Sequence, residues 1–420
     1  MCYGHLEGGC KPKCNDSKII KPNMTSTVSL RLVGLTVVIL NKQTGGSVHL
    51  ASKHQALFPK RGNFLVCPIS LEALMALVRI GAHGNTGKQI SLGLNLPIDK
   101  DRILDVYSML YTNQTPTKTV SRKMYINNEF KISDQYKNFA MDNFQSEIEY
   151  LNFLDKSPAL HKMNEWIENK TLHLVGNPVT DETLERESQI ILFNVVYMHG
   201  LWTTAFTQNL TRVEKFFVDN NRFVEIEMLE VNGHLNYFEN TELKAQFLQV
   251  VYGGGTTSFT IVLPNAVDGL SALESHIIKV IRKPHYRKVA VHALIPKMKL
   301  RAVVPFVNIL QSLGIVHPFQ DNADLSSIGS KTGDNLKIGN VLQAVYGGVE
   351  ETGSDKDITL GIARNSPFAE YVTFHADHPF MFYVTDETNG VTFMGRFTAP
   401  EGEIKLRIND NMKATRNITK

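Results

Sequence analysis

Cysteine is scarce in this chain, and long apolar runs, strong one-sided charge and internal repeats are missing. Of the four cysteines, Cys2, Cys10 and Cys14 crowd the N-terminus and Cys67 stands alone in an apolar run. No paired Cys/His set follows, which excludes a zinc module, and without the N-terminus no disulfide can form. Cys67 reads as a small buried hydrophobe. A net charge of +3 is too mild to imply nucleic acid. The apolar stretch at residues 32–40 is too short to span a bilayer. No low-complexity tract or Pro/Gly-rich linker divides the 420 residues, so one domain is expected, with ample chain for a large core.

Enzyme signatures are missing too. There is no Gly-x-Ser-x-Gly elbow and no His-Glu-x-x-His. Gly81 to Lys88 resembles a phosphate loop, but it has one residue too many, Gln89 replaces the magnesium-binding hydroxyl, and it follows a helix pattern. His375, Asp377 and His378 suggest a metal site, yet on a strand 375 and 378 point to opposite faces. No cofactor is expected.

What is present is a mixed pattern. Leu71, Leu74, Met75, Leu77 and Val78 have helical spacing after Pro68 and Ser70, and residues 160–172 again read as a helix. The apolar run 190–198 is short enough for a strand buried on both faces. Residues 247–252 and 258–263 flank Gly253, Gly254 and Gly255 as a hairpin, and residues 378–384 and 391–397 form another around Thr388-Asn389-Gly390. Helices early and strands late indicate mixed α/β organisation with large sheets.

Sequons begin at Asn15, Asn23, Asn113, Asn169, Asn209 and Asn417, which fits a secreted glycoprotein. Met24, Arg31 and the apolar run at 32–40 look like a secretory signal, which makes residues 1–45 a leader or N-terminal extension. The competing reading makes residues 28–40 a buried first helix. Between Glu274 and Asp321 there is no acidic residue, while Lys279, Arg282, Lys283, Arg287, Lys288, Lys297, Lys299 and Arg301 lie within that span. Such a segment is either a solvated surface or a face for a sulfated polysaccharide.

From about residue 46 to 400 the chain resembles the serpin family, through motifs in the family's order. Asn63 to Ser70 resembles the strand-to-helix segment N-x-x-x-S-P-x-S, and Gly81 to Thr86 follows as G-A-x-G-x-T. Phe193 to Trp202 is similar to x-N-x-x-Y-F-x-G-x-W, with Phe206 and Thr211 in step. Ile295-Pro-Lys297, Leu313-Gly-Ile315, Ala323 to Ser326, Phe374 to Phe380 and Phe393 to Arg396 complete the series, and residues 401–420 form a tail. The resemblance implies three sheets with eight or nine helices, a five-stranded central sheet and an exposed reactive loop. It also implies a trap: a protease cuts the loop, whose hinge side enters the central sheet as a new strand. A monomer that binds a serine or cysteine protease, and neither nucleic acid nor membrane, is the implied assembly.

Residues of the family's sheet-opening region fall on Cys67, Ser70, Asn194 and Gln343; the first and last replace the usual Ser and His. An amide at Gln343 can still bond Asn194. Glu351, Gly353 and Ser354 match an inhibitor's hinge, but Lys356-Asp357-Ile358-Thr359 stands where small residues are usual. In an inserted strand Lys356 and Ile358 share the core-facing side with Ser354, so only Lys356 is misplaced. Family spacing puts the scissile bond near Pro367-Phe368; Arg364-Asn365 suits trypsin-like enzymes better, and Ile362-Ala363 before it suits papain-like ones. Two expectations follow: a secreted protease inhibitor of unusual specificity, or a non-inhibitory serpin that carries a ligand or acts as a chaperone. The C-terminal Asn-Ile-Thr-Lys420 is no endoplasmic-reticulum retention signal, which counts against a resident chaperone.

Overall fold

The computed structural model describes residues 28–33, 36–41, 62–112, 118–184, 188–198, 200, 202–203, 206, 210–282, 284–331, 335–351, 371–386, 390–400 and 405–406. The side chains of 108–112 and of the two N-terminal segments are not described. Sequence assignments at Cys2, Cys10, Cys14, Asn15, Asn23, Asn113, Asn209, Lys283, Gly353, Ser354, Lys356, Ile358, Arg364, Asn365, Pro367, Phe368 and Asn417 lie outside the described residues.

Residues 28–40 do not form a helix. They lie in a hairpin of β1 (Val28–Val33) and β2 (Thr36–Asn41), paired from Val28 with Asn41 to Val33 with Thr36. Val37, Val38 and Ile39 are β-branched and fit a pleated strand better than a helix.

β3 (Phe64–Val66) then leads through Cys67 into α1 (Pro68–Gly81). Pro68 opens the helix, where its missing N–H costs no hydrogen bond. Every residue of α1 is buried, as its apolar sequence on all sides requires. Around it come α2 (Gly84–Leu94), α3 (Lys100–Thr112), β4 (Lys118–Asn127), β5 (Lys131–Ile132) and α4 (Asp134–Phe144). Next are β6 (Ser146–Leu151), α5 (Lys156–Lys170), β7 (Ile190–Met198), β8 (Arg212–Phe217) and β9 (Arg222–Asn240). The hairpin of β10 (Ala245–Val251) and β11 (Thr257–Pro264) follows, with Gly254 and Gly255 at φ 95° and 78° in its turn. Two short helices, α6 (Leu270–Ser275) and α7 (Ile277–Ile281), precede β12 (Arg287–Pro296) and β13 (Met298–Pro305). The chain continues through α8 (Val307–Ser312), β14 (Gly329–Ser330) and β15 (Ile338–Val349). It closes with β16 (Val372–His375), β17 (Phe380–Asp386), β18 (Gly390–Phe397) and β19 (Lys405–Leu406).

The fold is mixed α/β, with eight α-helices among the described residues. A five-stranded sheet runs β13-β15-β7-β4-β6. A ten-stranded sheet runs β16-β12-β9-β10-β11-β17-β18-β3, with β8 and β19 also on β9. The 19-residue β9 joins two lobes, pairing with β12 at Met228 to Tyr237 and with β10 at Asn236 to Asn240. The three expected sheets are therefore the five-stranded one and these two lobes. β14 and β5 add a small pair. Gly395 in β18 lies so close to the Phe64 carbonyl that an added Cβ would sit 2.2 Å from it, so no side chain fits there.

Two chemical-looking segments have structural roles. Gly81 ends α1 and Gly84, at φ 51°, opens α2. The Thr86 hydroxyl meets His317 Nδ1 at 2.8 Å and accepts the Asp324 N–H at 2.8 Å. Gln89 Oε1 accepts the N–H groups of Val316 and His317, so the loop is a packing corner. The alternation argument about His375 and His378 fails, because β16 ends at His375. His378 instead spans Asp377 Oδ1 and the Pro264 carbonyl, each at 2.7 Å, and ties the start of β17 to the end of β11.

Candidate functional site

The centre of the five-stranded sheet is a parallel pair. β15 runs beside β7 from Ile338 opposite Ile190 to Tyr346 opposite Tyr197. β7 is the apolar run 190–198, buried on both faces as its sequence requires. Side chains alternate along both strands, so this seam has two faces.

On the α1 face, Gln343 of β15 sits opposite Asn194 of β7. Gln343 Oε1 accepts the Cys67 backbone N–H at 2.8 Å, and Gln343 Nε2 donates to the Cys67 carbonyl and to Asn194 Oδ1, both at 2.8 Å. Asn194 Nδ2 donates to the Ser70 hydroxyl at 2.6 Å, and Arg122 Nη2 from β4 reaches the same hydroxyl at 3.3 Å. Asn194 and Gln343 are both 0% exposed. The structure thus brings together all four residues that the sequence placed in the sheet-opening region. In a dry site such a network favours one arrangement, since each group left unpaired pays its full desolvation cost. Cys67 takes part through its backbone; burial pushes its thiol pKa up, which leaves the sulfur unreactive.

On the other face, Tyr197 and Tyr346 stack across the seam at 5.5 Å, with ring planes 16° apart. α5 covers this side, and Trp166 meets Phe193 of β7 edge-on at 6.4 Å. Its dock is ionic at the rim. Lys123 of β4 is buried between Glu149 at 2.6 Å and Glu147 at 3.1 Å of β6, with Trp166 and Tyr125 rings alongside. From α5, Lys162 pairs with Glu149 and Lys170 with Glu147. Burial pushes the Glu149 carboxyl up, but Lys123 and Lys162 outweigh it and hold the pKa below the ordinary range.

The end of the seam is gripped a third way. Lys299 of β13 pairs with Glu350 at 3.0 Å, and Trp202 Nε1 donates to the Glu350 carbonyl at 3.0 Å. Glu351 Oε1 accepts from Lys297 at 3.1 Å and from the Thr211 hydroxyl at 3.2 Å. Partial burial raises the Glu351 pKa, but its own backbone N–H, Lys297 and Thr211 bring it below the usual carboxylate value. The next described strand is β16, an outer strand of the other large sheet. Sequence reasoning placed Lys297 and Lys299 only in a cationic span and Thr211 only in a motif, and it missed Arg122 and the tyrosine stack. Only cross-strand register could have found them, because their partners are distant in sequence.

The cationic face is smaller than the sequence suggests. Lys279 pairs with Glu242, Lys297 with Glu227 and Glu351, and Lys299 with Glu350. Acids from outside the acid-free span fold back onto it, so Lys279 is no free member of a polyanion face. Arg287 and Lys288 stay exposed on β12, and Arg282 is exposed just before it. Asn169 is exposed on the last turn of α5, while Thr171 of its sequon is buried and donates to the Ile167 carbonyl.

This sheet, with β15 ending just before Glu351, fits the five-stranded central sheet that the motif series implies. A family model described as Serpin (serine protease inhibitor) matches residues 47–400. The chain is a serpin. Serine protease inhibitor 42Dd of Drosophila melanogaster is 29% identical to it over 347 residues, covering 80% of this serpin and 91% of that protein. Ovalbumin of Gallus gallus is 26% identical over 368 residues, covering 80% and 93%. The solved structure of Serpin48, described as a highly specific serpin in the insect Tenebrio molitor, superposes with a TM-score of 0.74 at 29% identity, covering 81% and 93%. The family consists mainly of protease inhibitors, and members bind their target proteases.

Proposed function

We propose that this serpin inhibits an endopeptidase of the serine or cysteine class by inserting the segment after Glu351 between β7 and β15. The observation that carries this reading is the direct parallel pairing of those two strands from Ile338 to Tyr346, with β15 ending at Val349, just before Glu351. In the proposed step the protease's hydroxyl or thiol attacks a loop carbonyl. An acyl–enzyme bond forms, the peptide C–N bond breaks, and the new amino end leaves with the proton. The hinge side, starting at Gly353 and Ser354, then pairs with both flanking strands. Backbone pairing and apolar burial withheld in the native state supply the free energy. Arg364-Asn365 and Pro367-Phe368 are the proposed cleavage positions.

A second reading has its own support. By the family's register Lys356 would stand on the core-facing side of an inserting strand, and in the closed seam Gln343 bonds both Cys67 and Asn194. Both slow insertion, and a loop cut faster than it inserts is a substrate. The protein would then be a non-inhibitory binding serpin. Incubation with trypsin and with papain, followed by a denaturing gel, separates the two: a stable complex marks the trap, and clean cleavage marks the second reading.

Secretion, with initiation near Met24 and glycans on some sequons, belongs to the same proposal. N-terminal sequencing of the native protein tests it, and a natural N-terminus that retains Cys2 to Cys14 would reject it. Arg282, Lys283, Arg287 and Lys288 are proposed to bind sulfated polysaccharide weakly. Salt-dependent elution from a heparin column, compared with Arg287→Ala plus Lys288→Ala, is the check.

A further inference from the structure

Away from the seam, α1 carries a carboxyl group that the fold leaves half satisfied. Glu72 is 0% exposed. One of its oxygens accepts the Tyr107 hydroxyl from α3. The other has no hydrogen-bond partner among the described residues. The groups on the elements around α1 are committed elsewhere. Arg79, later on α1 itself, bonds Ser91 of α2 and the Ile98 carbonyl. Tyr136 of α4 donates to the Leu77 carbonyl, Arg122 of β4 to Ser70, and Arg396 of β18 pairs with Glu274. Asn194, on β7, is spent on Ser70 and Gln343. Lys88 of α2, Asp101, Arg102 and Asp105 of α3, and Asp134, Lys137 and Asp142 of α4 are exposed on outer faces. Among the described residues, no cation neutralises Glu72.

We propose that Glu72 and Tyr107 form a proton-dependent latch, in which α3 sits closed on α1 while the carboxyl is protonated and loosens when it ionises. An ionised carboxylate there has one donor and no countercharge, and it regains hydration only if α3 moves away. A protonated carboxyl needs far less. Burial pushes the Glu72 pKa up to about 7, while the Tyr107 bond pulls the other way. The sign follows: the closed form binds a proton that the loosened form releases. Closure is therefore strongest below the ordinary carboxylate pKa and weakens as pH rises towards about 7. The first turn of α1 also holds Gln343 and Asn194 through Cys67 and Ser70. Any effect of the latch on the seam rests on the proposed function; the latch itself does not.

The test is amide hydrogen exchange of α3, corrected for the intrinsic pH dependence, from about pH 5.5 to about pH 8.5, with α4 as internal control. In the wild type, α3 protection is expected to fall about tenfold or more from the acid end of this range and to level off above about pH 7. Glu72→Gln should flatten the profile to within about twofold. Tyr107→Phe removes the one described donor to the charged form and should move the levelling-off point to higher pH. A flat wild-type profile, or the same profile in Glu72→Gln, overturns the latch. If Glu72→Gln does not fold, an unmoved levelling-off point in Tyr107→Phe overturns it alone. No protease or loop cleavage enters the measurement, so its outcome is separate from that of inhibition.

Discussion

Gln343 of β15 and Asn194 of β7 join their side-chain amides at 2.8 Å across the parallel seam, with both residues fully buried. The same Gln343 amide closes on both backbone groups of Cys67. One side chain thus holds two strands and a helix together at the line where a new strand would enter.

Gln343→Ala should loosen the native state. It leaves the Cys67 N–H and carbonyl and Asn194 Oδ1 unpaired in a dry site, at about 1–3 kcal/mol for each buried group left unsatisfied. Denaturant unfolding of the intact protein should show a lower midpoint with a similar slope. An unchanged midpoint would mean that water replaces the amide.

Tyr346→Leu keeps apolar bulk but removes the stack on Tyr197. A loss of about 0.5–1.5 kcal/mol is expected. Amide exchange should rise at the Tyr346 end of β15 and stay unchanged near Ile338. Uniform change along the strand would place the effect in global stability instead.

Glu351 gives a pH dependence with a definite sign. Its folded pKa is depressed, so its stabilising contribution is present above about pH 4.3, the ordinary Glu value, and is lost as pH falls through the lower folded value. Compared with Glu351→Gln, the wild type should be more stable at neutral pH by about 1 kcal/mol, the scale of a partly exposed pair. The difference should vanish in acid. A difference that persists at the lowest pH would assign it to packing rather than charge.

Lys123→Met should release the rim of α5. The substitution keeps the stem that packs on Trp166 and Tyr125, but leaves Glu147 and Glu149 sharing only Lys170 and Lys162. α5 amides should exchange faster, and the effect should exceed that of raising salt alone, since a buried cation is poorly screened. Equal exchange in the two proteins would show that Trp166 docks α5 unaided.

Much of this architecture was legible in the sequence because local pattern and tertiary role coincide. The run 190–198 had to be buried on both sides, and Gly253 to Gly255 had to turn. Cys67, Ser70, Asn194 and Gln343 could be grouped because family motifs carry their positions. The grips at Glu350 and Glu351 could not be read, since Lys297 and Lys299 appear in sequence only as members of a cationic span. Their partners arrive through the register of β13 with β15, which pairs Met298 with Val349. The 28–41 segment was ambiguous because the stretch 32–40, apolar but for Gly34 and Thr36, carries no period that separates helix from strand. Glu72 gave no signal, because one acid in an apolar helix looks the same whether it faces solvent or Tyr107.

Lys356→Ala should make the loop enter more readily, because it removes the one charge expected to meet the core. Removing that desolvation cost, a few kcal/mol in order of magnitude, should raise the fraction of protease trapped relative to loop turnover. Asp357→Ala, on the opposite face of the new strand, is the control. Equal trapping in all three proteins would reject this hinge alignment.

Trapping requires that the seam between β7 and β15 accept the loop. The most direct measurement is the thermal midpoint of the intact protein against that of the same protein cut once within residues 362–368. Insertion adds a sixth strand to the central sheet, so the cut protein should melt well above the intact one. A midpoint equal to or below that of the intact protein would mean that the cut loop stays outside, and the trap would be excluded.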